Sequence, residues 1–372
     1  MADPLRFLEA ELASLQERGL LRSPEPRTGI NACSNDYLGF AREPLASSGE
    51  AVGAGASALV LGHTHAHRTA ESALAAWLGT ESALLFSSGY AANVGVVSSL
   101  AGPGDLVLSD RLNHASIIDG CRLSRATVAV FEHCDGASLE RALRQQRAQF
   151  NRCFVVTESY FSMDGDCAPL AVLRAIADAH DAALVVDEAH AVGVWGEAGR
   201  GRCALEGVRP DVLVGTLGKS FGLHGAFVCG SERLRRFLWN RARSFVFSTA
   251  LAPALAAAVC ERLPLVAAAD DRRARLFNAA TRLRSCLDAA GARILGEGPI
   301  IPWVIGDAGA AMNAELALAA AGVLALAIRP PTVPTGSARV RLTASASLTE
   351  AELSAVCTAV NAAARSLRGD RA

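Results

Sequence analysis

DVLVGTLGKSFGLHGAFV, residues 211–228, joins two apolar runs through a glycine-rich turn that carries Lys219. Each run reads as a short buried strand, the first over 211–215 and the second over 226–229. About ten residues separate them, whereas a parallel crossover takes a dozen or more, so the second strand is expected to run antiparallel. Lys219 is the only lysine among 36 basic residues, so arginine serves wherever a bare positive charge suffices. A guanidinium stays protonated at any biological pH, but a lysine amine in a low-dielectric pocket sheds its proton and attacks a carbonyl to form a Schiff base. Most lysines are solvated surface groups. A lone one beside a strand end points to carbonyl chemistry.

Upstream of this stretch, apolar strands at 83–86, 105–108, 127–131, 153–157 and 183–187 alternate with helical stretches at 91–100, 138–149 and 170–180. That alternation predicts an α/β fold with a mostly parallel seven-stranded sheet covered by helices. Ligands of such sheets lie beyond the carboxyl ends of the strands. Asp187, Ser162 and Thr216 fall there. Downstream, a long arginine-rich helix over about 254–290 leads to a smaller α/β unit with strands near 300–305, 323–328 and 338–343 and helices at 313–322 and 349–366. Leu5, Leu8, Leu12 and Leu15 share one face of a helix over residues 1–22. The organisation expected is an N-terminal helix and arm (1–40), a large domain (41–255) and a small C-terminal domain (256–372).

A net charge of -1 gives no electrostatic footprint for nucleic acid or an anionic membrane. The longest apolar run, 316–328, has 13 residues, short of the ~20 that a spanning helix needs. Ten cysteines are scattered singly, as in a reducing cytosol, so a cytoplasmic protein is expected.

GTLGKS at 215–220 and DEAH at 187–190 resemble ATPase motifs. A phosphate loop requires glycine where Leu213 stands, and the two motifs occur in the reverse of the ATPase order. HTHAH at 63–67 would place three imidazoles on one face of a strand. No acidic or cysteine cluster joins them in sequence, and no metal is expected.

A pyridine electron sink needs a carboxylate against its ring nitrogen. Asp187, at the end of a strand, suits that role, and His190 on the same loop could reach a ring hydroxyl. SSGYAAN at 87–93 offers a helix start for a phosphate, with Thr216 adding a hydroxyl. His114 could stack on the open ring face. Arg329 and Arg341 flank PPTVP, where a strand arginine would anchor a carboxylate.

Taken in order, NDYLGF at 35–40, GAGAS at 53–57, SSGYAANVG at 87–95, DRLNHAS at 110–116, TESYFSMDGDCAPL at 157–170, DEAHAVGVWGEAGRG at 187–201, TLGKSFGLHGA at 216–226 and IRPPTVPTGSARVRLT at 328–343 resemble the α-oxoamine synthases. These are pyridoxal-phosphate-dependent transferases of fold type I, the aspartate-aminotransferase fold. The resemblance implies that Lys219, Asp187, His190 and His114 take the roles just described, with Gly89 and Tyr90 on the phosphate side and Ser162 and Thr216 as further cofactor contacts. It implies a homodimer in which Ser248 and Thr249 reach the neighbour's phosphate. Arg341 matches the amino-acid carboxylate anchor, and Thr332 and Arg22 match other substrate contacts.

Members of this family condense an amino acid with an acyl thioester and release CO2. The pairs are glycine with short acyl groups, serine with fatty acyl groups, or alanine with pimeloyl. Arg329 favours L-alanine with a pimeloyl thioester, carried by coenzyme A or acyl carrier protein; glycine with acetyl-coenzyme A is the alternative. Ser220 stands where many members have glycine, and His224 where a small residue is common.

Overall fold

The computed structural model describes residues 3–21, 25–46 and 49–369. Thirteen strands occur among them. Those of the first part are β1 (Ile30–Asn31), β2 (Ser82–Phe86), β3 (Leu106–Asp110), β4 (Thr127–Phe131), β5 (Cys153–Glu158), β6 (Ala183–Asp187), β7 (Val212–Thr216) and β8 (Ala226–Gly230). The rest are β9 (Arg293–Ile294), β10 (Ile300–Gly306), β11 (Val323–Leu324), β12 (Leu326–Ile328) and β13 (Ala338–Thr343).

Seven strands form one sheet in the order β2-β8-β7-β6-β5-β3-β4. β8 runs antiparallel to both its neighbours, as the short link after β7 required, and the remaining pairs are parallel. Central strands are buried on both faces, which is why they read as unbroken apolar runs. In β2, Leu84 and Phe86 enter one buried cluster while Ala83 and Leu85 enter the cluster on the opposite face. Only the edge strand β4 is largely exposed.

A second sheet, β12-β13-β10-β9, is antiparallel throughout, and β1 pairs in parallel with β11. The apolar stretch 323–328 is therefore two strands in two different sheets. The long helix expected over 254–290 is broken into Pro253–Ala267 and Asp270–Ala289, with Ala268 and Ala269 between them. The N-terminal helix is shorter than its pattern suggested, Phe7–Glu17, and it buries none of its residues. HTHAH is not a strand. Thr64 caps a helix starting at His65, and the His67 side chain completes the capping box.

Candidate active site

The carboxyl ends of β3, β5, β6 and β7 deliver Asp110, Glu158, Asp187 and Thr216 to one edge of the large sheet. Lys219 follows β7 in a turn closed by the bond from Gly222 N to Lys219 O, 3.0 Å. Burial lowers its amine to about 8, although the charges of Asp187 and Glu158 pull the other way. It can therefore reach its neutral, nucleophilic form near physiological pH.

Asp187 is buried and fixed on both oxygens: Asn93 Nδ2 donates to one at 2.7 Å and the Ala189 N–H to the other at 2.8 Å. Asn93 also donates to Ser116 Oγ at 3.0 Å, and that hydroxyl lies 2.7 Å from His114 Nδ1. His114 Nδ1 accepts the Ser116 N–H at 3.2 Å, capping the helix Ala115–Ser124. Burial lowers the pKa of His114, with Lys219 adding to the effect against Asp187. His190 is held well below the usual histidine value by burial, and the charges of Lys219 and Arg341 depress it further. Its Nδ1 lies 2.6 Å from Tyr37 Oη. Glu158 accepts the His114 N–H at 2.7 Å, and burial raises its carboxyl to about 8.

Across this cluster, Ser88 caps the helix Gly89–Leu100 through Ala91 N, leaving the Gly89 and Tyr90 N–H groups at a helix start. A Cβ added to Gly89 would approach Thr216 Oγ1 to 3.9 Å, so the helix start faces the lysine loop across a space that a side chain would begin to fill. Arg341 reaches the same edge from β13. Its Nε donates to Ser162 O at 2.7 Å, Nη1 to Thr343 Oγ1 at 3.1 Å and Nη2 to Asn35 Oδ1 at 3.0 Å. A depressed lysine amine, a buried carboxylate, a neutral imidazole and an anion-ready helix start together form a donor set that fits pyridoxal phosphate.

Other candidates lie further out. Ser248 is half-buried and Thr249 exposed, with Thr249 bridged to Ser57. Thr332 is exposed, and Arg329 turns its guanidinium toward Gly19. Tyr90 is half exposed and donates to Asp119. Arg22 lies outside the described residues. Ser220 is buried against Gly193, where a Cβ would come within 2.4 Å of the serine's own, so glycine at 193 makes room for serine at 220. His224 is exposed and occupies no interior space. His63 pairs with the buried Glu71 at 3.2 Å and His67 meets Leu251 O at 2.8 Å, both as parts of the packing.

Asn93, Ser116, Glu158, Tyr37 and Asn35 were not singled out from the sequence. All five sit within its motifs, but partners 94 or 306 residues away carry no local pattern. A large cavity of about 1160 Å³ opens at the other end of the sheet, against Phe154, Ala183 and Val212, away from this constellation.

The model of the aminotransferase class I and II family matches residues 27–360. The chain is 48% identical to an 8-amino-7-oxononanoate synthase of Marinobacter nauticus, over 88% of this chain and 85% of that one. It is 46% identical to one of Anaeromyxobacter dehalogenans, over 92% and 91%. It belongs to the aminotransferase class I and II family, on the branch of the 8-amino-7-oxononanoate synthases. Among solved structures, a serine palmitoyltransferase with pyridoxal phosphate bound as its internal aldimine superposes with a TM-score of 0.90 at 30% identity, covering 99% of this chain and 100% of that one. The 8-amino-7-oxononanoate synthase of Francisella tularensis superposes with a TM-score of 0.77 at 26% identity, covering 92% and 99%.

Proposed function

We propose that this chain condenses L-alanine with a pimeloyl thioester, giving 8-amino-7-oxononanoate, carbon dioxide and free thiol in biotin biosynthesis, with pyridoxal 5'-phosphate as cofactor. The observation that carries the reading is the sole lysine, lowered to about 8, in one pocket with Asp187, His114, His190 and Arg341. When bound, the cofactor supplies a protonated pyridine as an electron sink for the amino acid's α-carbon.

The residues divide the work. Lys219 Nζ would hold the cofactor's carbonyl carbon until the alanine amine replaces it there, and as the freed amine it would take the alanine α-proton. Asp187, which accepts from two donors, would hold the proton on the ring nitrogen. His114 would cover the ring, and Tyr37, by fixing the rotation of the neutral His190, would orient it for the ring hydroxyl. The N–H groups of Gly89 and Tyr90 and the Thr216 hydroxyl would take the phosphate, and Ser162 would add a cofactor contact. Arg341, already oriented by three acceptors, anchors the alanine carboxylate. Arg329 serves the acyl side, and Thr332 and Arg22 add substrate contacts.

The active unit in this reading is a homodimer in which Ser248 and Thr249 serve the neighbour's site. Leu61 (93% exposed), Val52 (90%) and Phe247 (72%) flank the Ser57–Thr249 bridge, apolar area that a second copy would cover. The large domain then ends at the Ala268–Ala269 break, since Pro253–Ala267 packs on His65–Leu78. None of the described helices is long and apolar enough to cross a membrane, and ten free cysteines suit a reducing cytoplasm. A catalytically silent partner subunit would have no use for Lys219.

The test offers alanine, glycine and serine against pimeloyl-coenzyme A, pimeloyl-acyl carrier protein and acetyl-coenzyme A and compares kcat/KM. Preference for alanine with pimeloyl is expected. Preference for glycine with acetyl-coenzyme A would overturn it in favour of a glycine C-acetyltransferase.

A further inference from the structure

We propose that His133, held between Asp110 and Asp166, is a positioning residue that sets Arg341 by fastening the loop 159–168 to the end of the large sheet. The proposal rests on the reading of Arg341 as the carboxylate anchor. His133 lies just past β4 and hydrogen-bonds none of Lys219, Asp187, His114, His190 and Arg341 directly. Its Nδ1 is 2.8 Å from Asp110 Oδ1, and its Nε2 is 2.8 Å from Asp166 Oδ2. With a carboxylate on each nitrogen, both must carry protons for both bonds to form.

Asp110 is the fixed end of this clamp. It is fully buried and accepts from Leu112 N and Cys134 N, each at 2.9 Å. Asp166 is the loop end, and its other oxygen is buried without a partner, a cost that the ion pair offsets. The Phe161 ring meets the imidazole edge-on at 4.4 Å and fixes its plane. Asp110 and Asp166 hold His133 charged up to about 12 against its burial, so the clamp persists across the working pH range. The ligand atoms of Asp110, His133 and Cys134 would also suit a metal ion, but a cation there would have to displace a tightly held proton.

From Asp166 the restraint passes along a short loop to the small sheet. Phe161 N donates to Asp166 O at 2.9 Å, closing the loop on itself. Ser162 O receives Arg341 Nε at 2.7 Å, and Met163 O and Asp164 hold Arg339. The loop also accepts Glu297 N at Gly165 O, 2.6 Å. One face of the loop is thus tied to β3 and β4 through His133, and the other orients two arginines of β13.

The experiment uses the holoenzyme. His133→Asn and Asp166→Asn are each expected to raise KM for alanine by roughly 10-fold, part of a charge-assisted bond's full effect. KM for the pimeloyl thioester and the visible cofactor absorption should stay unchanged. In an Arg341→Lys background, the same substitutions should add less than about 2-fold. Equal rises in both KM values, loss of cofactor with alanine KM intact, or full additivity with Arg341→Lys would overturn the proposal. Asp166→Asn removes the charge from the loop arm alone, at a partly exposed side chain, so it carries the test if His133→Asn fails to fold. An unchanged alanine KM in Arg341→Lys itself would overturn the anchor reading, whatever His133 does.

Discussion

Replacing Asn93 by leucine removes the support beneath Asp187 together with the weaker bond to Ser116 Oγ. Leucine keeps the branched shape of asparagine at a position 3% exposed, so packing is retained while the amide donor is lost. The donor makes a 2.7 Å bond to a carboxylate that is itself only 6% exposed. Hydrogen bonds to charged groups contribute about 1.5–3 kcal/mol. If all of that is felt in the transition state, kcat/KM with alanine falls roughly 10- to 150-fold. Asp187 keeps the Ala189 N–H, so the cofactor should remain bound and coloured. The assay is steady-state thioester consumption, with the visible spectrum as control. Activity within 3-fold of wild type would refute the idea that Asn93 supports Asp187 in the reaction.

Lys219→Ala should lose both the visible absorption and the borohydride-stable adduct; retention of the adduct would place the cofactor elsewhere. Asp187→Asn should keep much of the cofactor and lose nearly all turnover, and full activity would make the carboxylate structural. Cofactor reloading of the apoenzyme should accelerate as pH rises through about 8, where Lys219 becomes the free base, and then level off; a rate still climbing past pH 10 would show an ordinary amine. Between about 8 and the unfolded value of about 10.5 the unfolded chain binds more protons at this site, so the Lys219 contribution to apoenzyme stability rises with pH there, read as the midpoint of urea unfolding. Sedimentation should find an active dimer, and an active monomer at assay concentration would refute the shared site.

The sequence by itself determined whatever is written in short periods. Strands with both faces buried show as unbroken apolar runs, and the ten-residue link around Lys219 left β8 no direction but antiparallel. Composition singles out Lys219, because a chain that otherwise uses only arginine keeps there an amine that can be deprotonated. Tertiary structure decided the rest. Alternating histidines at 63–67 suit a strand face in isolation, yet Thr64 and His67 close a capping box and the segment becomes a helix. The pattern over 254–290 runs through Ala268 and Ala269 without a local stop, and the break between the two helices is visible only in the folded chain. Of two arginines flanking one proline-rich turn, Arg341 faces the site because β13 pairs with β10 and β12, while Arg329 turns to Gly19. The supports of the site, Asn93 on Asp187 and Asn35 on Arg341, join residues 94 and 306 positions apart. Such contacts follow from the order in which strands and sheets pack, a global property that no local repeat of side chains encodes.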